Sequence, residues 1–527
     1  MRRVLLSLTV LLVAAAGTGA AVAGPDPAGL AQKFGQGVVN QAGADCRVAD
    51  DTDYRCSNID GRDISEAAIS AYEGSWVHRA LSLQRDLSAT APLIEDQLPH
   101  THNTFNSSAY SIPTDGSAPS YYPTLTNQDP NQVYSISDQM NMDVRAIELD
   151  LHWVPSPYAT AATHGYWVTM CHGDGQQVPN TGATVHVGCS YDRPAQDGFA
   201  EVRRWLNAHK DQFLLIYLEN QLYDASPVAS ATLAHNTAAS LLASAFGSLI
   251  YKPAGTSSGH CATLPYTSSR ARMMATGARV LLVGNCGPGA WSSYVFQRGS
   301  TWDESGDPSS YSASDCLHDR ALRGADSSFR REFEDSTFVS AATGGAPRPP
   351  MSPDNVSLMV RCGVNIIGMD QLRPQDGRLA ALVWSWAPNE PSAAGSCATQ
   401  GSDGRFRAAG CGSTLAAACR TPGGGWAVTA TPVEWSDATS ECAAEYPGSV
   451  FALPMNGFRN QQLQLAHAAR PAAVWLNYAK VRGTWTAWAA PQPGIGGSGG
   501  GPGRGHAFGR GHGTGRPDGV PPNATLD

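Results

Sequence analysis

Four short segments carry residues that could together do phosphoryl chemistry: His102 and Asn103 in LPHTHNTF, Glu148 and Asp150 in VRAIELDLHW, His172 in VTMCHGDG, and Glu219 in FLLIYLENQ. Each stands at or just after an apolar run of the kind that forms a buried strand. Two imidazoles can supply a proton acceptor and a proton donor, and carboxylates can hold a cation against a phosphoryl oxygen. Cleavage of a phosphodiester uses all three.

In a strand alternate residues share a face, so Ala146, Glu148, Asp150 and His152 point one way while Arg145, Ile147, Leu149 and Leu151 point the other. Two carboxylates that close repel unless a cation lies between them; the plain alternative is an edge strand with solvated acids. The run Phe213–Leu218 reads as a strand covered on both faces, and it ends on Glu219. A carboxylate there is costly unless it binds a metal or pairs with an arginine. Asn103 adds an amide oxygen. The set Asn103, Glu148, Asp150 and Glu219 is all oxygen, which suits Ca2+ better than Mg2+ or Mn2+ and suits zinc poorly. His102 and His172 are the candidate catalytic pair, ranked above His100, His152 and His164, with a hydrogen-bonded structural histidine as the dull reading of each.

Elements that could position these residues alternate along the chain. Candidate strands are Leu93–Leu98, Val144–Leu151, Tyr166–Met170, Phe213–Leu218, Arg279–Val283 and Val364–Met369, with Leu382–Trp386 as a last one. Between them lie amphipathic stretches, one of which sets Phe199, Val202, Trp205 and Leu206 on a single helical stripe. Strands alternating with helices predict a parallel sheet clothed in helices, and the length suits a TIM-like (β/α) barrel with its site at the strands' C-terminal ends. The expected organisation is a signal peptide at 1–23, a leader at 24–90 with a helix near Ser65–Leu83, a barrel at 91–390 and a linker at 391–404. A smaller α+β unit follows at 405–490, and a Gly/Pro tail at 491–527 is expected to be disordered.

The whole chain narrows the setting. Its 527 residues are 42% hydrophobic and 15% charged, as in a globular protein. A formal net charge of −9 argues against nucleic acid as a partner and against a polybasic membrane face. Met1-Arg2-Arg3, an apolar run to about Ala16 and Ala21-Val22-Ala23 read as a secretory signal, so the mature protein is expected to be exported and monomeric. Twelve cysteines without a CxxC pair favour disulfides, with Cys46–Cys56, Cys171–Cys189 and Cys419–Cys442 as guesses. Aromatic segments around Tyr110, Tyr121 and Tyr122, and around Trp291, Tyr294 and Phe296, are candidates for peripheral contact with a membrane surface, or are ordinary core.

THNTF, RAIELD, CHG and LENQ, in this order and at these intervals, resemble the X-region motifs of calcium-dependent phosphoinositide-specific phospholipases C, in their secreted bacterial branch. The resemblance covers about residues 92–390. It implies that Asn103, Glu148, Asp150 and Glu219 hold Ca2+, that His102 and His172 straddle the phosphate, and that a phosphoinositide lipid is the substrate. The ring 2-hydroxyl would attack phosphorus and expel diacylglycerol. Gln221 departs from the pattern, which has histidine there. The order of elements in the C-terminal unit is similar to a C-type-lectin-like domain. Two rival readings are a glycerophosphodiester phosphodiesterase, whose pattern would want His-Arg-Gly where His102-Asn103-Thr104 stands, and a non-catalytic glycan- or surface-binding protein.

Overall fold

The apolar runs become a curled parallel sheet. The computed structural model describes residues 46–50, 53–56, 58–59, 62–63, 66–107, 109, 130–155, 159–172, 174–177, 184–187, 194–223, 231–304, 308, 311, 328–337, 350–469 and 472–487. Its strands are β1 (Leu98–Thr101), β2 (Ala146–Pro155), β3 (Tyr166–Met170), β4 (Leu214–Gln221), β5 (Val280–Gly284), β6 (Phe296–Gln297), β7 (Trp302–Asp303), β8 (Phe329–Phe333) and β9 (Ile366–Met369). They run in the order β6-β5-β4-β2-β1-β9-β8-β7 with every neighbouring pair parallel, while β3 lies antiparallel against β2 outside that path. The curl is open along one seam, between β6 and β7, and an Arg298–Glu304 ion pair of 2.7 Å joins the residues just beyond those strands. This is an α/β, TIM-like sheet.

Side-chain alternation divides the core in two. Leu98, Ala146, Leu215, Tyr217, Leu281, Val283, Phe329 and Ile366 fill the inside of the curl. Ile147, Leu149, Leu151, Ile216, Leu218 and Leu282 face outward and pack with helical residues such as Phe199, Val202, Leu242, Phe246, Val356 and Met359. The helices are α1 (Glu66–Glu73), α2 (Trp76–Ser88), α3 (Ile136–Asn141), α4 (Ala195–Ala208), α5 (Ala231–Phe246), α6 (Arg270–Met274), α7 (Pro353–Arg361) and α8 (Gly377–Leu382). Burying each such aliphatic side chain contributes roughly 1.5–3 kcal/mol. The inner face turns polar toward the strands' C-terminal ends, at His100, Glu148, Asp150 and Glu219, while the opposite end stays apolar.

Several expectations need correction. The single helix near Ser65–Leu83 is two, α1 and α2, broken at Gly74; Ser75 caps the second by accepting from the His78 N–H at 3.2 Å. From residue 66 onward the supposed leader is part of the barrel's floor. Asp143, buried ahead of β2, accepts from Tyr72 at 2.9 Å and Arg85 at 2.8 Å, with His78 Nδ1 at 2.8 Å. Leu93–Glu95 is a short 3-10 turn ahead of β1, and residues 383–386 form no strand, because α8 continues to Leu382. The strand in SSFRREF was not foreseen.

Cys397–Gln400, expected in the linker, is instead β10 of the C-terminal unit. It pairs with both β11 (Phe406–Ala409) and a later strand. The unit adds β12 (Ala416–Arg420), β13 (Trp426–Val428), β14 (Val450–Phe451), β15 (Val474–Val481) and β16 (Thr484–Ala487), with α9 (Ala438–Glu445) and α10 (Gly457–Ala466). Cys397–Cys411 and the expected Cys419–Cys442 staple it; Cys261–Cys286 ties the loop ahead of α6 to the residues after β5, and Cys171 and Cys362 are also disulfide-bonded. Cys46 and Cys56 stand opposite each other in a two-stranded ladder, but that pair's side chains, and Cys189, lie outside the described residues, as do the signal segment and the tail.

The unit docks beside the start of β1. Asn456 Nδ2 donates to the Glu95 carbonyl at 3.0 Å, the Gly457 N–H to Gln97 Oε1 at 2.6 Å, and Asn460 Nδ2 to the Trp384 carbonyl at 2.9 Å. A Cβ on Gly457 would come within 2.6 Å of the Val360 carbonyl oxygen, so the helix start needs glycine to approach α7. Among the described residues no helix is long and apolar enough to cross a membrane.

Candidate metal and phosphoryl-transfer site

Register brings the first acids together. In β2 and β4, Glu148 stands opposite Tyr217 and Asp150 opposite Glu219, all on the inner face. On the other side of β2, β1 ends at Thr101 and the chain turns through His102 and Asn103. Asn103 takes φ 45°, a left-handed conformation that asparagine tolerates better than most residues, and its N–H donates to Glu148 Oε2 at 3.2 Å. Thr104 Oγ1 locks the same turn, donating to the Thr101 carbonyl at 2.9 Å and accepting the Glu148 N–H at 2.9 Å.

One carboxylate oxygen from each of Glu148, Asp150 and Glu219 lies within 4.8 Å of the others. Burial, then repulsion from Glu219 and Glu148, holds the Asp150 carboxyl well above the usual range; burial and Glu148 raise Glu219 in the same way. For Glu148 burial also acts upward, but Arg331, His102 and His100 outweigh it and hold it low. Gln221, standing where the resemblance would put histidine, donates to Glu219 Oε1 at 3.0 Å.

The Asn103 amide lies against Asp150. Its Nδ2 donates to Asn131 Oδ1 at 3.2 Å, and Asn131 is itself oriented because its Nδ2 donates to Asp370 Oδ2 at 2.9 Å. That chain turns the Asn103 Oδ1 toward Asp150, 3.0 and 3.3 Å from the two carboxylate oxygens. Turning the amide over would let its nitrogen donate to both Asp150 oxygens and set its oxygen 3.2 Å from the Asn131 amide, which meets it when that amide turns as well. Acceptor facing acceptor is relieved by that turn, by a proton on Asp150 or by a cation. Three acids and an amide form a donor set of the kind a hard divalent ion would take.

His102 borders a second pair of acids, Asp370 and Asp335. His102 Nδ1 is 3.2 Å from Asp370 Oδ1, and its ring stacks on Phe333 with centroids 4.6 Å apart. Asp370 is held in turn by Asn131 and by the Ser336 N–H at 2.7 Å. Burial would lower the His102 pKa, but the charges of Asp370, Glu148 and Asp335 raise it to about 9. His172 follows β3 and the disulfide-bonded Cys171. Burial lowers its pKa, Asp335 opposes this, and His102 lowers it further. One imidazole is charged at neutral pH and the other neutral.

Glu148, Asp150, Glu219 and Asn103 thus come together, with His102 beside them, and four residues outside the expected set join them: Asp370, Asp335, Asn131 and Arg331. Asp370 follows the apolar run Ile366–Met369 just as Glu219 follows its own, so the same rule would have found it. Asp335 and Asp370 each bring a carboxylate oxygen within 4.8 Å of a His102 ring nitrogen and of each other. Arg331 points inward from β8 to Glu148 Oε2. His100, ranked as a secondary residue, donates from Nδ1 to the Ala146 carbonyl at 3.0 Å, leaving Nε2 to accept from Arg331 Nε at 3.4 Å. Trp291 and Phe296, offered as membrane contacts, are buried in the core; Tyr110, Tyr121 and Tyr122 lie outside the described residues. Beside the seam, a cavity of about 400 Å³ is lined by Asn285, Gln297, Arg298, Trp302 and Glu304 among others.

The curled α/β sheet carries an acid cluster at its C-terminal mouth, and the family it matches is phospholipase C-like. Residues 61–376 match the family described as the Rv2075c PI-PLC-like domain, and the chain belongs to that family. Two Mycobacterium tuberculosis proteins, Uncharacterized protein Rv2075c of strain H37Rv and Uncharacterized protein MT2135 of strain CDC 1551, are each 40% identical to it over 452 residues. The matches cover 82% of this chain and 86% of theirs. Among solved structures, the phosphatidylinositol-specific phospholipase C of Listeria monocytogenes aligns at 13% identity and a TM-score of 0.33, over 56% of this chain and 95% of its own. An F249X mutant of the Staphylococcus aureus enzyme aligns at 9% and 0.35, over 59% and 98%. At these scores neither adds to the fold, which the strand order defines.

Proposed function

We propose that the chain is an exported, calcium-dependent phosphodiesterase that cleaves phosphatidylinositol-type lipids to diacylglycerol and a cyclic inositol phosphate. The observation that carries this reading is the convergence of three buried carboxylates, Glu148, Asp150 and Glu219, with the Asn103 amide against Asp150 and His102 held beside them by Asp370. Asn103, Glu148, Asp150 and Glu219 would hold the cation, which when bound would neutralise phosphoryl charge and acidify the ring hydroxyl.

The residues themselves divide the proton work. With Nδ1 turned to Asp370, His102 offers Nε2 to the substrate, and His172, whose pKa burial lowers, would supply the second imidazole. As the ring oxygen bonds to phosphorus and the phosphorus–glycerol oxygen bond breaks, one imidazole takes the hydroxyl proton and the other gives one to the departing alkoxide. The cavity lined by Arg298, Trp302 and Glu304 offers polar walls for a polyol ring. The disulfides suit an oxidising compartment, supporting export. The lectin-like reading of the C-terminal unit remains our fold reading of its element order, without an assigned ligand.

Phosphorus NMR on phosphatidylinositol and on glycerophosphoinositol, with calcium or with chelator, tests the proposal. A cyclic phosphate formed from the lipid only with calcium is expected. Turnover of the deacylated diester alone would favour a glycerophosphodiester phosphodiesterase.

A further inference from the structure

The acid cluster is not met only by what might enter from solvent. Arg331 extends from β8 into the barrel and is almost wholly buried. Its guanidinium contacts Glu148 Oε2 and Glu304, the latter at 3.2 Å, and its Nε donates to His100 Nε2 at 3.4 Å. The rings of Tyr217 and Phe333 lie 4.6 and 4.1 Å from its Cζ, so the position is caged above and below. Gly368 makes room for the arrangement: a Cβ there would come within 2.8 Å of both His100 and Phe333. A fixed cation therefore shares Glu148 with the proposed ion site.

We propose that Arg331 is the resident counter-charge of this site, which holds the acids together without a divalent ion and sets calcium affinity low by repelling it. The inference rests on the calcium reading above. The guanidinium and the Asn103 N–H use the same oxygen, Oε2, so a cation can still reach the carboxylate from its other oxygen, and Arg331 acts through charge rather than by blocking. A guanidinium and a dication sharing one buried carboxylate repel strongly where water screens little. The consequence is a site that fills at the calcium levels of extracellular modules, of the order of 10⁻⁴ to 10⁻³ M, and stays empty at much lower ones.

The test is calcium titration calorimetry on the full chain and on Arg331→Met and Arg331→Lys, with thermal melting of each in chelator and in calcium. Arg331→Met should bind calcium at least tenfold more tightly than the parent and melt lower in chelator, with a larger rise on adding calcium. Arg331→Lys, which keeps the charge, should stay within about threefold of the parent. If Arg331→Met folds only with calcium, the calcium midpoint of its refolding replaces the titration, and a midpoint below the parent's dissociation constant is expected. Equal or weaker binding by Arg331→Met, or an equal gain in Arg331→Lys, overturns the inference and leaves the calcium reading standing. No calcium binding by folded parent and folded variants overturns the calcium reading itself.

Discussion

Replacing His102 by alanine removes an imidazole that Asp370 holds in one orientation, and replacing His172 removes its neutral counterpart. Each change should lower the rate of lipid cleavage roughly 10²- to 10⁴-fold, measured by phosphorus NMR. His172→Ala should leave calcium binding within a few-fold of the parent. The charge on His102 has a direct check: its pKa of about 9 owes most of its rise to Asp370. In Asp370→Asn the imidazole should titrate well below that value by proton NMR, and a midpoint still near 9 would contradict the pairing. The raised folded pKa also fixes a sign. The pairing's contribution to stability is fully present below the unfolded histidine value near 6.5, and it is lost as pH rises through about 9. The parent's advantage over Asp370→Asn in chemical denaturation should therefore shrink at alkaline pH. Asn131 binds the two halves of the site, taking Asn103 on one side and Asp370 on the other. Asn131→Ala should weaken calcium binding by about 10- to 100-fold and lower the His102 pKa at the same time. A change in one without the other would break the proposed link.

At the scale of elements, the strand that reads most plainly is β2, where outward aliphatics alternate with inward acids; periodicity and placement agree there. Strand β4 is as legible, since six successive large apolar-type residues before Glu219 leave little else possible. Strand β8 hides because its inner face is not apolar. Arg331 is buried against rings and carboxylates from three other strands, and no local pattern in FRREF announces partners so distant in sequence. For the same reason the four acceptors and imidazoles that continue apolar runs were legible, whereas Asn131, which owes its role to hydrogen bonds across the mouth, was not. The C-terminal linker was misjudged because small and polar residues such as Ala398 and Thr399 can form a central strand once neighbours flank both edges. Strand β9 offers a test of packing. Gly368→Ala pushes a methyl against His100 and Phe333 and should cost about 1–3 kcal/mol in denaturant unfolding, with loss of activity out of proportion to that cost. A neutral effect would mean that the mouth is looser than its contacts imply.

For the whole molecule, the barrel and the C-terminal unit share one apolar core in which Leu382, Trp384, Trp386, Phe406, Leu463 and Tyr478 belong to the same cluster as the outer faces of β2 and β4. Asn460 adds polar closure, donating to the carbonyls of Trp384 and Gly404 and meeting Gln400 at 2.6 Å. A chain ending at residue 390 would bare two buried tryptophans and leave the Trp384 carbonyl without the donor Asn460 supplies. It should express poorly or fail to melt cooperatively, whereas the full chain should unfold in one calorimetric transition. Two well-separated transitions, with a truncated barrel as stable as the intact one, would refute that dependence. The docking contacts at Glu95 and Gln97 precede β1, while the acid cluster lies at the strands' far ends, so the C-terminal unit docks at the end of the barrel away from the acids. A surface coupled to the C-terminal unit near its docking contacts would therefore leave the barrel's mouth free to meet a vesicle that the anchor never touches.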